Sequence, residues 1–517
     1  MSQSAPNETN FWSPKHGIGA FMREFCTMKW TALLAILGTI PLNGQALFVG
    51  SGAQVTVATG DALYIDDDIT NNGSIDLKAA SGSYAQLKLT GTYSGSGTFS
   101  QQQHLTDGWH LLASPVSNVY NATSNGSTSA LYAFNTDLAG GNPGYVAWST
   151  SYNEPDRGFY GKVGAAGNFL STAGLLTVSG VPNTSTSARS VGLTAAVTSN
   201  GSANGSGTGW NLLGNPYPCG LDWYSYKANT SPAILNNAVY IWNPAAGGGA
   251  GAYSSYSGYV TGALTIPPMQ GFWVQVFYPS GGTLPASTMA SHGTLESATF
   301  YKQLPPRLEL WIEAIGDSAR RDQLVLAHLQ GAALAFEGAT DAWKLSNGPG
   351  MPNLMARDDA SGQETSINAL DLGAPGVIPV NFRCGTPNEK WAVSVDGDWA
   401  GDAILEDRLL GSFTDLRAGA HHFIHSGWTL DESRFRLHYV PAATLGDGEE
   451  SVNASLVAYA SGEWLVVHTA LPASLYTLDG RLVAQSSGGS LLQQIPRPAS
   501  GLYVVLCGTQ RSKILVP

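Results

Sequence analysis

Three histidines, His421, His422 and His425, stand shortly before Asp431 and Glu432, and imidazoles beside carboxylates are a ligand set for a first-row transition metal. Strand geometry argues against convergence, because successive side chains of a strand point to opposite faces. Only His421 and His425 share a side, so the cluster reads as strand and turn histidines, and no metal site is assigned. Asp66, Asp67 and Asp68 are a second carboxylate group, of the kind that binds calcium when a turn converges its oxygens. The distant Glu of an EF-hand loop is absent, and adjacent carboxylates repel, so a solvated turn is expected. A third set is aromatic: Trp223, Tyr224, Tyr226 and Trp242 are the candidate ligand-binding residues, as a face on which sugar rings stack. The glycine run at residues 247–251, with Tyr253, Tyr256 and Tyr259 around it, would be an exposed, mobile loop beside that face. The competing reading places these aromatics in a core.

Catalytic signatures are lacking. No serine centres a G-x-S-x-G elbow, and there is no H-E-x-x-H, P-loop or dinucleotide fingerprint. Cys507 has no basic neighbour in sequence to activate it. Carboxylate pairs for glycoside hydrolysis are set by spatial distance, and nothing in the sequence singles one out. No catalytic residue and no cofactor is therefore nominated, and the sequence leans towards a binding protein.

The elements that must carry these groups follow from composition. Of 517 residues 12% are charged, with 25 Lys and Arg against 37 Asp and Glu for a net charge of −12, while Gly takes 62 positions. A typical soluble domain is about one quarter charged. That balance excludes nucleic acid as a partner, since phosphates demand clustered basic residues. At 43% hydrophobic, with 14 Trp, 21 Tyr and 16 Phe, the chain is too apolar to be disordered. Short strands and tight turns, in an all-β, multi-domain chain with β-sandwich-like modules, are the expectation, and the length allows several cores.

The front of the chain looks like an address. Residues 31–40 read TALLAILGTI after Arg23 and Lys29 and before the small residues Gly44 and Ala46, which predicts a signal peptide over residues 1–46, cleaved near Ala46. Met22 or Met28 is an alternative translation start. No later run reaches transmembrane length, so no transmembrane helix is expected in the mature chain. Cys219, Cys384 and Cys507 then remain; a Cys219–Cys384 bridge is compatible with an oxidising compartment, but three free or buried thiols are expected.

Charge marks further divisions. Residues 47–290 hold 10 acidic and 6 basic side chains, residues 291–517 hold 25 and 16, and the shift predicts a boundary near 290. Residues 47–105 alternate in period-two pairs about ten to twelve residues apart, a β segment that would suit a small β-solenoid. Residues 106–290 contain a repeat: DGWHLLASPV at 107–116 matches TGWNLLGNPYP at 208–218, LYAFN at 131–135 matches VYIWN at 239–243, and GFY at 158–160 matches GFW at 271–273. Offsets of 101, 108 and 113 in the same order imply tandem duplication. Residues 291–440 form a β-sandwich domain and 441–451 (PAATLGDGEES) a linker. Residues 452–517 alternate as strands around the turn Asp479-Gly480, a small all-β module. Residues 403–416 have near-helical apolar spacing, but Gly411 and the Ser-Phe-Thr triplet favour strand, turn and strand.

GWNLLGNPYP at 209–218, IWNP at 241–244, PPMQGFWV at 267–274, LEDRLLGSFTDL at 405–416 with RFRLHY at 434–439, TDAWKL at 340–345, and LYTLDGRLV at 475–483 with SGLYVVLCG at 500–508 together resemble a type of secreted Bacteroidota surface protein. The tail is similar to the type A C-terminal sorting domain of the type IX secretion system. The resemblance implies export by that machinery, removal of residues 452–517 by a sortase, and attachment to anionic lipopolysaccharide or polysaccharide, or release. The protein would then be secreted, extracellular or at the outer-membrane surface, in adhesion or matrix binding. A carbohydrate-binding module array is the first alternative and a hydrolase with an unrecognised site the second. The chain departs from the pattern at its last residue, Pro517, and in the first repeat copy, where ASPV replaces GNPYP.

Overall fold

The computed structural model describes residues 34–35, 42–44, 46–117, 126–127, 129–135, 144–149, 157–184, 189–191, 194–195, 209–223, 235–257, 260, 264–276, 282–283, 287–289, 293–294, 304–385, 387–425, 431–441, 457–461, 463–469, 471–477, 480–490, 492–508 and 510–516. These fold almost entirely as β-structure, and the one helical turn, Ala246–Gly249, is short. The all-β, multi-domain expectation is met.

The N-terminal segment is a three-sided parallel solenoid. Leu34–Ala35, Gln54–Val57, Ser74–Leu77 and Thr98–Leu105 stack in register on one side. Leu42–Gly44, Ala62–Ile65 and Gln86–Leu89 form the second, and Leu47–Val49, Ile69–Asn71 and Tyr93–Ser94 the third. Ile75 lies over Val55 and under Phe99, and Leu63 under Leu87, so each coil takes 20 to 24 residues. The ten-to-twelve-residue spacing in the sequence is therefore about half a coil, because the pairs at Leu63, Ile75 and Leu87 fall on two of the three sides and pass over the third. Ile69, Ile75, Leu77 and Leu87 are fully buried down the axis. Asn71, also buried, holds a corner: its amide donates to Tyr93 Oη at 2.7 Å and Thr98 O at 2.9 Å, and its Oδ1 accepts Gly73 N–H at 3.0 Å. The last solenoid strand then pairs antiparallel with Gly174–Ser179, so the chain runs into the next module without a gap.

The duplication is preserved down to strand register. The first copy orders its strands Gly108–Leu112, Phe159–Val163, Leu131–Asn135, Gly144–Ala147, and the second Trp210–Gly214, Gly271–Val276, Leu235–Asn243, Ala252–Ser257. Tyr132 faces Ala147 as Tyr240 faces Ser255, and Trp109 faces Lys162 as Trp210 faces Gln275. The copies also exchange equivalent contacts: Leu112 bridges Gln270, and Leu213 bridges Arg157. Those two bridges map onto each other under the repeat offsets, the signature of an isologous interface within one chain. The Asn-Pro-Tyr-Pro exit is fixed by Asn215, whose amide donates to Cys219 O and Ile266 O at 2.8 and 2.9 Å while its Oδ1 accepts Tyr217 N–H.

Residues 304–441 form one sheet, in the order Ser412–Asp415, Gly401–Asp407, Asp431–Pro441, Gly376–Arg383, Asn353–Asp358, Gln363–Leu370, Asp317–His328, Arg307–Ala314, Glu389–Asp396, His421–His425. It wraps until its ends meet, with His421 Nδ1 2.9 Å from Thr414 Oγ1 and Arg434 Nη1 donating to Ile424 O at 3.2 Å. The expected sandwich is thus a nearly closed barrel around Trp391, Phe382, Phe423 and Phe435. Gly411, at φ +61°, makes the turn between strands Gly401–Asp407 and Ser412–Asp415, as expected over helix.

The compositional boundary near 290 does not separate these bodies in space. Leu212, Tyr240 and Trp273 of the second copy share a core with Val325, Ala327, Trp343 and Ile367 of the barrel. The tail has a core of its own, Leu465, Val467, Leu475, Ile495, Val505 and Ile514, between a three- and a four-stranded sheet. It meets the barrel where Val466 and Leu492 pack on Ile404 and Phe413.

Candidate functional site

The sugar-stacking face is not assembled. Trp223 is 2% exposed; its ring packs edge-on against Phe272 at 5.6 Å and its indole N–H donates to Asn237 O. Trp242 lies on the opposite side of the module sheet, half-buried against Tyr253 at 4.8 Å. A tryptophan sinks where it can bury the most area, and here two alternate strand faces each had a core to offer. Tyr224, Tyr226 and Tyr259 lie outside the described residues. The glycine run is held rather than free: a Cβ on Gly251, at φ +85°, would sit 2.0 Å from the Trp242 ring, and Gly348 N–H donates to Gly251 O at 2.8 Å. Its tip, Gly248 and Gly249, is exposed.

The other constellations resolve as ordinary structure. His421 and His425 point inward and His422 outward, and among the described residues no group of three or more His, Cys, Asp or Glu converges as a metal site. His421 Nε2 lies 3.2 Å from Asp407, which also takes Arg434 through both oxygens at 3.0 and 2.7 Å. Burial pushes the Asp407 carboxyl up, but the Arg434 bonds and the Leu410 N–H outweigh it and hold it below the usual range. Asp66 and Asp68 cap a turn, accepting Tyr64 Oη and Thr92 N–H. Cys219, Cys384 and Cys507 are buried, and none of the three is in a disulfide.

In the first repeat copy Trp109 stacks on Tyr160 at 4.4 Å and 4°, and Tyr160 on Tyr145 at 4.6 Å. Lys162 covers Trp109 at 5.5 Å. The rings occupy one another's faces, which makes a cross-strand ladder rather than an open platform.

A cleft of about 850 Å³ opens where the second copy meets the barrel. Its floor is the outward face of the hairpin Arg307–Ala314 and Asp317–His328. Strict alternation buries Leu308, Leu310 and Ile312 and turns Arg307, Glu309 and Trp311 outward, beside Arg321 and Gln323 of the paired strand. Tyr253, Ser254 and Tyr256 of strand Ala252–Ser257 form the facing wall. Glu309 is engaged at both oxygens, by Arg307 Nε at 2.6 Å and Gln323 Nε2 at 2.7 Å. Asp322 points inward, pairs with the buried Lys344 and accepts Leu354 N–H at 2.7 Å. Burial pushes the Tyr253 hydroxyl up to about 12, so it stays a neutral donor. The Arg321 guanidinium lies 5.0 Å over the Trp311 ring. The sequence signal for this site is a tryptophan in the polar register of an alternating strand, RLELWIEA, where an aromatic on a charged face is out of pattern.

The fold and site define a multi-domain all-β protein, solenoid, duplicated modules and barrel, with an open polar-aromatic cleft between the last two. Residues 4–439 match the model of a family described as a domain of unknown function, DUF8693, and the chain belongs to that family. No curated protein and no solved structure matches the chain. The matched region takes in solenoid, modules and barrel together and stops short of the tail sandwich. No helix among the described residues is long and apolar enough to cross a membrane.

Proposed function

We propose that the chain is an exported binding protein, carried to the cell surface by type IX secretion machinery through its tail and acting there by adhesion or matrix binding. The observation that carries this reading is the tail itself. Residues 457–516 fold around a separate core, lie beyond the family match, and touch the barrel through a small patch at Ile404, Phe413, Val466 and Leu492. An appended module with its own core is suited to recognition and removal without harm to the rest. The strands Ala473–Thr477, Leu482–Gln485 and Gly501–Cys507, which carry parts of LYTLDGRLV and SGLYVVLCG, lie in its four-stranded sheet.

Binding rather than hydrolysis is favoured by the cleft's carboxylates. Asp322 serves as a buried counter-ion, and Glu309 spends both oxygens on Arg307 and Gln323. Glycoside hydrolysis needs one carboxyl to give a proton and the other to attack or activate water, and neither group is free to do so.

Deleting residues 452–517 and fractionating the cells tests the proposal. The truncated chain is expected in the periplasm while the full chain reaches the surface; equal export of both would remove the sorting role.

A further inference from the structure

The cleft holds three cations, and they are not alike. Arg307 is committed to Glu309, and Lys344 to Asp322. The Arg321 side chain, by contrast, makes no hydrogen bond or ion pair among the described residues, and its guanidinium lies over Trp311. An arginine over an indole, with Glu313 opposite it in register but in no ion pair with it, has N–H donors to offer a planar oxyanion at little entropic cost. The lining itself carries three cations, Arg307, Arg321 and Lys344, against two carboxylates, Glu309 and Asp322, in a chain of net charge −12.

Next to apolar Ala252, Val325 and Leu345, the lining also offers hydroxyls and amides, among them Ser254, Ser318, Tyr256 and Gln323. Those groups match a ligand rich in hydroxyls, and the volume lies within the range of small-ligand sites. A peptide added as a strand is disfavoured where Ala252–Ser257 begins. There Tyr253 N–H donates to Asn347 Oδ1 at 3.0 Å and Gly251 O accepts Gly348 N–H, so those edge groups are taken.

We propose that this cleft binds an acidic oligosaccharide, the Arg321 guanidinium, held on Trp311, receiving a uronate carboxylate. The proposal rests on the reading of the chain as a binding protein.

Isothermal titration of the purified full chain with uronate tetrasaccharides (galacturonate, glucuronate, mannuronate), their methyl esters and tetraglutamate tests it. At least one uronate is expected to bind, its methyl ester about tenfold or more weaker, with affinity falling as salt is raised. Arg321 is exposed, so Arg321→Gln should keep the wild-type melting temperature and weaken uronate binding by a similar factor. The inference is overturned by no binding across the uronates, by equal binding of the esters, by unchanged affinity in Arg321→Gln, or by tetraglutamate binding as tightly. Export plays no part in this assay. Lost binding with normal surface display removes this inference alone, and lost display with intact binding removes only the sorting role.

Discussion

Trp343 of the barrel donates its indole N–H to Oε1 of Gln275 in the second repeat copy, at 2.8 Å, with both side chains buried. The same Oε1 accepts the Asn236 amide at 2.6 Å, and the Trp343 ring stacks on Phe336 at 3.6 Å. This contact sits inside the core shared by the module and the barrel. Trp343→Ala should therefore cost about 3–5 kcal/mol, as a large buried aromatic does. Gln275→Leu should cost about 1–3 kcal/mol by stranding two donors. The two bodies should unfold together, so urea denaturation of a chain lacking residues 452–517 should give one transition. Two resolved transitions in that same truncated chain, without either substitution, would show that the shared core does not couple them.

How far the sequence reveals this arrangement differs from element to element. The duplication is legible because copying a strand copies its register: Trp109 and Trp210, Tyr132 and Tyr240 keep both their spacing and their partners. The solenoid is legible as alternation but not as a period, since a corner such as Asn71 breaks the pattern three times per coil. Of the cleft only Trp311 leaves a mark in the sequence, as an aromatic in a polar register; the enclosure does not. Its floor comes from the hairpin at Trp311 and its wall from the strand at Tyr253, and only the packing of Trp343 and its neighbours sets one against the other. Trp223 misleads for a related reason, because an aromatic-rich stretch looks the same in sequence whether its rings face solvent or Phe272.

Asp341 gives the joint a pH dependence. Burial raises its carboxyl from the ordinary 3.8 to about 6, against the opposing N–H bonds from Ala369 and Glu337 and the Thr340 hydroxyl. A folded-state value above the unfolded one means that the native chain binds the extra proton between them. Asp341 should thus make stability fall as pH rises from about 4 to 6, by roughly 2–3 kcal/mol, and leave it level above. In Asp341→Asn that part of the slope should vanish even though the variant is weaker overall. An unchanged slope in urea midpoints measured across this window would exclude the assignment.

Removal of the proposed signal peptide would alter the solenoid's end. Leu34–Ala35 and Leu42–Gly44 supply parallel partners for Val55–Thr56 and Leu63–Ile65, yet both strands lie in the segment expected to leave with the signal. Cleavage near Ala46 would free the edges of Gln54–Val57 and Ala62–Ile65 and start the mature chain at strand Leu47–Val49. Unpaired edges invite further pairing, so a chain cleaved near Ala46 should self-associate more than one that keeps residues 34–46. N-terminal sequencing of the surface protein fixes the cleavage point. Sedimentation of the two forms compares their association, and a mature chain still carrying Leu42 would remove the expected cleavage.

The seam of the barrel rests on one buried ion pair. Asp407 is fully buried and takes both Nε and Nη2 of Arg434, while His421 and the Leu409 and Leu410 N–H groups complete its shell. The Arg434 guanidinium also lies over the Phe423 and Phe435 rings at 4.7 and 4.8 Å and reaches Ile424 O, which ties the last strand of the sheet to the first ones. Removing one partner leaves a charge in the interior, a loss of about 3–5 kcal/mol. Arg434→Met should accordingly destabilise the barrel by that amount. Replacing both partners, as in Asp407→Leu with Arg434→Met, should recover much of the loss, because the stranded charge is gone. Equal unfolding midpoints for the single variant and the parent would mean that the seam is held by its apolar rings rather than by the pair.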